Sequence, residues 1–145
     1  MDEVDVQIES TVVSDEMQEA ALTLAFRSEE LAWSASNSIR SMMGEMAPGY
    51  KGGRWSLVTL SNGGFFMFPK DEQGKVLIQW PGNGFEGEMS AQAAGICATL
   101  MTLSHLSFLA DERGGNPEPM VDCFHHLRDY AQSHEEASSI FRMTD

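Results

Sequence analysis

LSNGGFFMFP, residues Leu60 to Pro69, is the part of the sequence from which the fold can be worked out. Its polar Ser-Asn-Gly-Gly group separates two β-prone runs, WSLVTL (Trp55 to Leu60) and FFMF (Phe65 to Phe68). Asn-Gly between two strand patterns is a strong hairpin signal, because both residues tolerate positive φ. A phosphate-binding glycine loop would instead lead into a helix and carry a Gly-Lys-Ser/Thr signature. The stretch therefore predicts a β-hairpin and not a nucleotide site.

A third strand and a glycine-rich segment follow this hairpin. VLIQW, Val76 to Trp80, is β-prone, and the short connections between the three strands predict an antiparallel meander. GNGFEGE, Gly82 to Glu88, is interpreted as a glycine-rich loop. The segment precedes a helix, as an anion site would, but Glu86 and Glu88 would repel a phosphate. We therefore expect no phosphate binding there.

Helical patterns fill most of the remaining sequence. Ser28, followed by two acids, predicts the start of a helix that ends at residues 47–49, Ala-Pro-Gly. Its apolar residues recur every three or four positions and predict one buried stripe: Leu31, Ala35, Ile39, Met42 and Met46. An earlier helix is expected to begin near Ser14, a long apolar helix at Ser90, and two shorter helices near residues 120–133 and 135–143.

These elements predict a single α+β domain in which a small antiparallel β-meander packs with several α-helices. Residues 14–145 form this domain, and residues 1–13 are interpreted as a flexible acidic tail or a loosely added strand. A chain of 145 residues with 42% hydrophobic and 21% charged residues has the composition of one globular domain.

Cysteine usage and the acidic start of the sequence favour a cytoplasmic protein. Two cysteines, Cys97 and Cys123, are a poor disulfide framework, and the acidic start MDEVDVQIES does not resemble a signal peptide. The run from Met89 to Ala110 contains no charged residue. Its polar side chains and acidic flanks predict a buried core helix and not a membrane span.

The formal net charge of −13 is the strongest bulk signal. Such a surface repels nucleic acid, because affinity for phosphates comes from clustered Lys and Arg, so we expect no direct nucleic-acid binding. Residues 1–50 contain ten acids and two basic residues. The acids either imitate DNA phosphates toward a DNA-binding protein or serve solubility, and composition alone favours solubility.

No residue pattern indicates catalysis, a cofactor or a metal. The side chains with the relevant chemistry lack CxxC and HExxH spacing: Cys97, His105, Cys123, His125, His126 and His134. We therefore predict no catalytic, cofactor-binding or metal-binding residue and no enzymatic activity. The alternative is a small cytoplasmic enzyme whose pocket is formed by Cys97, His105 and the glycine segment 82–88.

Four segments taken together resemble a known family. They are GYKGGRW (Gly49 to Trp55), TLSNGGFFMFP (Thr59 to Pro69), GNGFEGEMSAQAAGI (Gly82 to Ile96) and TLSHLSF (Thr102 to Phe108). In this order they resemble the plasmid antirestriction family ArdB/KlcA, over about residues 25–141. The family's C-terminal pattern is matched by His126, Leu127, Arg128, Tyr130, Ala131, His134, Glu136 and Ile140. Arg54 stands where the family usually has an aromatic residue.

The resemblance implies a small cytoplasmic protein of mobile genetic elements with an α+β fold. Such proteins lessen the cleavage of incoming DNA by type I restriction–modification enzymes, without a known catalytic activity. The implied partner is the restriction–modification complex or a host factor acting with it, and no membrane is involved.

Six residues match family motifs and are the candidate interaction residues: Glu29, Trp55, Asn62, Asn83, Glu86 and Glu88. For the two asparagines, a purely structural role in a turn is the alternative. Trp33 lies off the apolar stripe of its helix, and Trp55 and Trp80 lie at strand ends. An exposed interaction residue among these three tryptophans is the alternative to packing in the core.

Overall fold

The computed structural model describes residues 7–145, and residues 1–6 lie outside the described part. Within it, five helices pack with two antiparallel sheets, which confirms the predicted α+β class. The helices are α1 (Gln18–Phe26), α2 (Glu29–Met46), α3 (Ala91–Glu112), α4 (Glu118–Ala131) and α5 (Ala137–Thr144). The strands are β1 (Ser10–Val13), β2 (Trp55–Leu60), β3 (Phe65–Pro69), β4 (Lys75–Trp80) and β5 (Phe85–Ser90).

The predicted hairpin is formed by β2 and β3. These strands pair antiparallel with Thr59 opposite Phe65, and the Leu60 N–H donates to the Gly64 carbonyl at 2.9 Å. Gly63 has φ 95°, a left-handed conformation that a residue without Cβ adopts at little cost. The Asn-Gly turn signal thus correctly predicted this hairpin, whose loop has three residues between Leu60 and Gly64.

Strand β1 completes the first sheet at the outer edge of β2. Ser10 lies opposite Leu60, and Ser61 exchanges two hydrogen bonds with Glu9: the Glu9 N–H donates to Ser61 Oγ at 2.8 Å and the Ser61 N–H to the Glu9 carbonyl at 2.9 Å. The sequence predicts either a flexible tail or a loosely added strand for residues 1–13. Ser10–Val13 form the added strand, so the flexible-tail interpretation is wrong for these four residues. The predicted tail at residues 1–6 lies outside the described part.

The second sheet corrects two expectations. Strand β4 pairs with β5, from Lys75 opposite Ser90 to Trp80 opposite Phe85, and its sheet is separate from that of β3. The predicted meander is therefore divided into two sheets, and the predicted glycine loop is a turn of only four residues followed by a strand. The period-2 alternation in Phe85–Ser90, with buried Phe85 and Met89 on one face, was hidden by the glycines around it.

Helix α3 forms the centre of the core. Ser90 caps it as predicted, accepting from the Ala93 N–H at 3.1 Å, and every residue from Ala93 to Leu100 is buried. By length and composition α3 could cross a membrane, but it packs against α2, α4, α5 and β3 in this molecule. The prediction of a buried core helix is confirmed.

Helix α2 packs beside α3 and begins at the predicted cap, where Ser28 Oγ accepts from the Leu31 N–H at 3.1 Å. Its buried stripe is rotated slightly from the predicted one, because Leu31 and Met42 are only half-buried. The buried residues of α2 are Ala32, Ala35, Ser36, Ile39, Met43 and Met46. The opposite face, which includes Trp33, is exposed.

Candidate functional site

Asn62 connects the β2–β3 turn to helix α4. Its side-chain oxygen accepts from the Gly64 N–H at 3.0 Å, and its side-chain nitrogen donates to the His126 carbonyl at 2.9 Å. The side chain thus fixes the turn and fastens it to a helix 64 positions away. Both polar atoms of the amide are used inside the protein, which favours the structural alternative for this candidate.

Asn83 repeats the same arrangement in the β4–β5 turn. Its side-chain oxygen accepts from the Phe85 N–H at 3.0 Å, and its nitrogen donates to the Met143 carbonyl at 2.7 Å and the Arg142 carbonyl at 3.2 Å. The two carbonyls lie in the last turn of α5, where the helix itself provides no donor. The two asparagines of the family motifs therefore each attach one hairpin turn to one C-terminal helix.

Glu86 and Glu88 lie on the exposed face of β5. Both side chains are exposed, while Phe85 and Met89 point to the opposite, buried face. The Glu86 carboxylate accepts from Gln79 Nε2 on the neighbouring strand at 2.7 Å. In the described part of the chain, neither glutamate takes part in an ion pair. Both side chains of this pair are therefore accessible to a partner.

Trp55 is not available to a partner. It is only 4% exposed, and its indole N–H donates to the Tyr50 hydroxyl at 2.8 Å. The sequence did not reveal this burial because Trp55 begins a strand that is covered on both faces. The neighbouring Arg54 is paired with Asp71. The Asp71 carboxylate accepts from the Arg54 guanidinium at 2.8 Å and from the Arg54 backbone N–H at 2.8 Å. These hydrogen bonds hold the pKa of Asp71 below its ordinary value.

Glu29 is exposed at the start of α2, away from both hairpin turns. It shares a shallow cleft with Glu16 and Glu19, and a second cleft with Trp33. The six predicted residues therefore do not form one site. Asn83, Glu86 and Glu88 share the β4–β5 hairpin, whereas Asn62, Trp55 and Glu29 lie on other elements.

The pocket of the enzymatic alternative does not form. Cys97 is completely buried, with Sγ 3.7 Å from the Met89 sulfur and 4.0 Å from the Ile140 carbonyl, while His105 is exposed two turns further along α3. Burial, with a smaller effect of Glu136, raises the pKa of the Cys97 thiol to about 12. A thiol this weakly acidic is a poor nucleophile near neutral pH, since the thiolate is the reactive form.

The second cysteine lines a small cavity under the β2–β3 turn. This cavity of about 370 Å³ lies between α1, the hairpin and α4. Burial, with a smaller effect of Asp122, raises the pKa of the Cys123 thiol to about 11. Arg27 and Asp122, whose charged groups are 3.6 Å apart, also line it. The lining is mostly apolar, and among the described residues no hydrogen bond joins its polar side chains Asp122, Cys123 and His126.

Two features of the structure were not predicted from the sequence, and the first is the set of contacts made by Glu136. Glu136 accepts from the Ser90 N–H at 2.9 Å and also from the Ser90 hydroxyl, and lies 3.5 Å from Lys75 Nζ. Burial raises the pKa of this carboxyl, but the Ser90 hydrogen bonds and Lys75 outweigh that effect and lower it below its ordinary value. Contacts between residues 46 positions apart leave no local pattern from which to predict them.

The second feature is a groove of about 850 Å³ between α2 and α3, called here the α2–α3 groove. It is lined by Trp33, Ser34, Asn37, Ser38, Ser41, Met42, Glu45, Trp80, Met101, Thr102, Ser104, His105 and Phe108. Trp33 is 73% exposed and Phe108 68% exposed. The position of Trp33 off the apolar stripe was the one sequence signal for this surface.

Within the described residues, no group of three or more potential metal ligands is found.

Comparison with known sequences gives the same family over most of the chain. Residues 48–145 match the family model of antirestriction proteins. An antirestriction protein KlcA of Escherichia coli is 40% identical over 148 aligned residues, which cover 97% of this chain and 99% of that protein. A second Escherichia coli KlcA is 43% identical over 97 residues, or 66% of each chain.

A solved structure is similar over the full length of both chains. It matches with a TM-score of 0.86 and 33% sequence identity, covering 100% of this chain and 100% of that one. That work on the KlcA and ArdB proteins describes a novel fold and antirestriction activity against type I DNA restriction systems in vivo but not in vitro. The likeness thus includes α1, α2 and β1, which precede the region matched by the family model.

Proposed function

Because this chain belongs to the antirestriction protein family, we propose that it protects incoming mobile-element DNA from type I restriction–modification systems by binding, without catalysis. The observation that carries the proposal is the full-length likeness to a structure whose proteins have antirestriction activity against type I systems. We place this action in the cytoplasm, where restriction enzymes meet incoming DNA.

Three properties of the side chains support a non-catalytic mechanism. Cys97 and Cys123 are both buried, and both have pKa values raised to about 12 and about 11. The imidazole of His105 does not face either thiol, because it lies on the α2–α3 groove. In the cavity under the β2–β3 turn, the raised pKa of the Cys123 thiol argues against an activated nucleophile, although His126 lines the same cavity.

The proposed partner is the type I restriction–modification complex or a host factor acting with it. The related proteins act in vivo but not in vitro, which fits a mechanism that requires a further component of the cell. Direct binding to DNA is disfavoured, because five of the nine basic residues are already paired with acids while the net charge is −13.

The acids support a local contact better than imitation of a DNA duplex. Glu86 and Glu88 form a pair on β5, whereas Glu29 lies near Glu16 and Glu19 on a different part of the surface. A DNA mimic presents a long double row of charges, while these acids are spread over a compact domain. We therefore propose that the β4–β5 hairpin presents its two glutamates to a basic surface of the partner.

The test is the plating efficiency of unmodified phage on cells with an active type I system, with and without expression of this protein. We expect higher plating efficiency with the protein, and no difference in a matched strain that lacks the restriction enzyme. Unchanged plating in the restricting strain, with soluble folded protein confirmed in the same cells, would refute the proposed function.

A further inference from the structure

We propose that the α2–α3 groove binds a basic amphipathic helix of another protein. The proposal deepens the proposed function by giving the chemistry of one partner segment, and it rests on that function only for its biological role. The groove is distinct from the β4–β5 glutamate pair, since Trp80 at the end of β4 is the one residue of that hairpin that lines it.

The shape of the groove fits a helix. On α2 its lining residues recur at helical spacing from Trp33 to Glu45, a distance of about 18 Å at 1.5 Å per residue. This length accommodates roughly three turns of a partner helix. Four of the lining side chains are serines, which permit close approach of another helix at these positions: Ser34, Ser38, Ser41 and Ser104.

The groove also provides apolar anchor points. Trp33 and Phe108 are two of the most exposed large hydrophobic side chains of the described residues, and one projects from each helix. Half-buried Trp80 and Met101 extend the apolar surface between them. Large aromatic side chains at a groove are the residue type that dominates binding energy in interfaces. Helix-in-groove recognition requires apolar residues of the ligand at positions i, i+3 or i+4, and i+7.

The charges around the groove select a cationic partner. Glu45 lines it directly, and within the described part of the chain no Lys or Arg does so; His105 is the other titratable lining residue. By helical periodicity, Glu30 lies one turn before Trp33, and Glu112 lies one turn after Phe108. Glu45 and these two acids are exposed. A second copy of this chain would bring the same acids against themselves, which disfavours self-association through this face.

The probe is a synthetic peptide of about 18 residues with leucines at the spacing i, i+3, i+4, i+7 and lysines elsewhere. Its control has the same composition with the leucines scattered around the helix. We expect the patterned peptide to bind at least about tenfold more tightly by calorimetry, and to shift the NMR signals of the groove residues. Added salt should weaken binding, because exposed charges contribute to it.

Trp33→Ala and Phe108→Ala should each weaken binding of the patterned peptide by about tenfold. Leu24→Ala is the matched control, because Leu24 is 82% exposed on α1, outside the groove. All three changes remove exposed side chains, so circular dichroism should show folded proteins. Equal binding of the two peptides, or equal losses in Leu24→Ala and Trp33→Ala, would overturn the proposal.

A second copy of this chain is the competing occupant of the α2–α3 groove. A concentration-dependent dimer that Trp33→Ala disrupts, seen by analytical ultracentrifugation, would replace the proposed partner with a second copy. Binding of the patterned peptide by a protein that gives no phage protection would support the docking surface and refute the proposed function. Phage protection by a protein that does not distinguish the two peptides would support the proposed function and refute the docking surface.

Discussion

Gly95 of α3 lies directly against the main chain of Met67 in β3. A Cβ atom at Gly95 would be 2.2 Å from the Met67 carbonyl oxygen. One turn later, Thr99 Oγ1 donates to the Gly95 carbonyl at 2.8 Å and accepts from the Met67 N–H at 3.2 Å. The core helix therefore covers the edge of β3 that β2 does not pair, and it provides a hydrogen-bonding partner for the strand.

Gly95→Ala should destabilise the protein by about 1–3 kcal/mol or more, because α3 must move away from β3 to make room for the methyl group. The matched control is Gly44→Ala in α2, where an added Cβ meets no atom within 4 Å. That change should stabilise the protein by up to about 1 kcal/mol, since alanine is the better helix former. Urea unfolding of both variants measures these differences. Equal effects at the two positions would show that the close approach is relieved by relaxation.

Local signals were sufficient for most elements of the fold. The Asn62-Gly63 turn, the Ser28 and Ser90 caps, and the helical spacing in α2 each depend on residues close in sequence. The division into two sheets was not predictable in this way. It depends on which strand Val76–Trp80 pairs with, and alternating residues in a glycine-rich segment gave only a weak strand pattern.

The candidate site was predictable only in part, for a similar reason. The exposure of Glu86 and Glu88 follows from strand alternation once β5 is known. The burial of Trp55 and the donation of Asn83 to Met143 depend on elements that are distant in sequence. The family resemblance selected motif residues, but a motif residue that fixes a hairpin to a helix is indistinguishable in sequence from one that contacts a partner.

Glu136→Gln should reduce stability by about 1–2 kcal/mol at neutral pH, because charge-assisted hydrogen bonds from Ser90 are weakened. The pKa of Glu136 is lowered from 4.5 in the folded state, so its contribution is present above pH 4.5 and is lost as pH falls through the lower, folded value. The difference between wild type and Glu136→Gln should therefore shrink on acidification below pH 4.5. Thermal unfolding at several pH values measures it, with the exposed neighbour Glu135→Gln as control. A pH-independent difference would contradict this assignment.

Asn83→Asp isolates the attachment of the β4–β5 turn to α5. An aspartate keeps the oxygen that accepts from the Phe85 N–H but has no donor for the Met143 and Arg142 carbonyls. Its charge also lies at the negative end of the α5 dipole. We expect a loss of about 1–2 kcal/mol, with hydrogen exchange accelerated in α5. Unchanged stability together with lost phage protection would instead assign Asn83 a direct contact with a partner.

Cys97→Ala and Cys123→Ala should each retain phage protection, because neither buried thiol takes part in a chemical step. A thiol reagent such as a disulfide dye should react slowly with the native protein at pH 8, since pKa values of about 12 and about 11 leave little thiolate. The same reagent should react quickly after unfolding. Loss of protection in either variant, with its solubility and folding unchanged, would revive the enzymatic alternative.

The double change Glu86→Lys, Glu88→Lys should lower phage protection by at least about tenfold, if the pair on β5 faces a basic surface of the partner. Asp129→Lys with Glu135→Lys is the control of equal charge change: both acids are exposed and lie outside β5, and each double variant moves the net charge from −13 to −9 by adding four units. Because overall charge is matched, a loss confined to the β5 variant assigns the effect to position. Equal losses in the two variants would show that bulk acidity, and not this hairpin, carries the interaction.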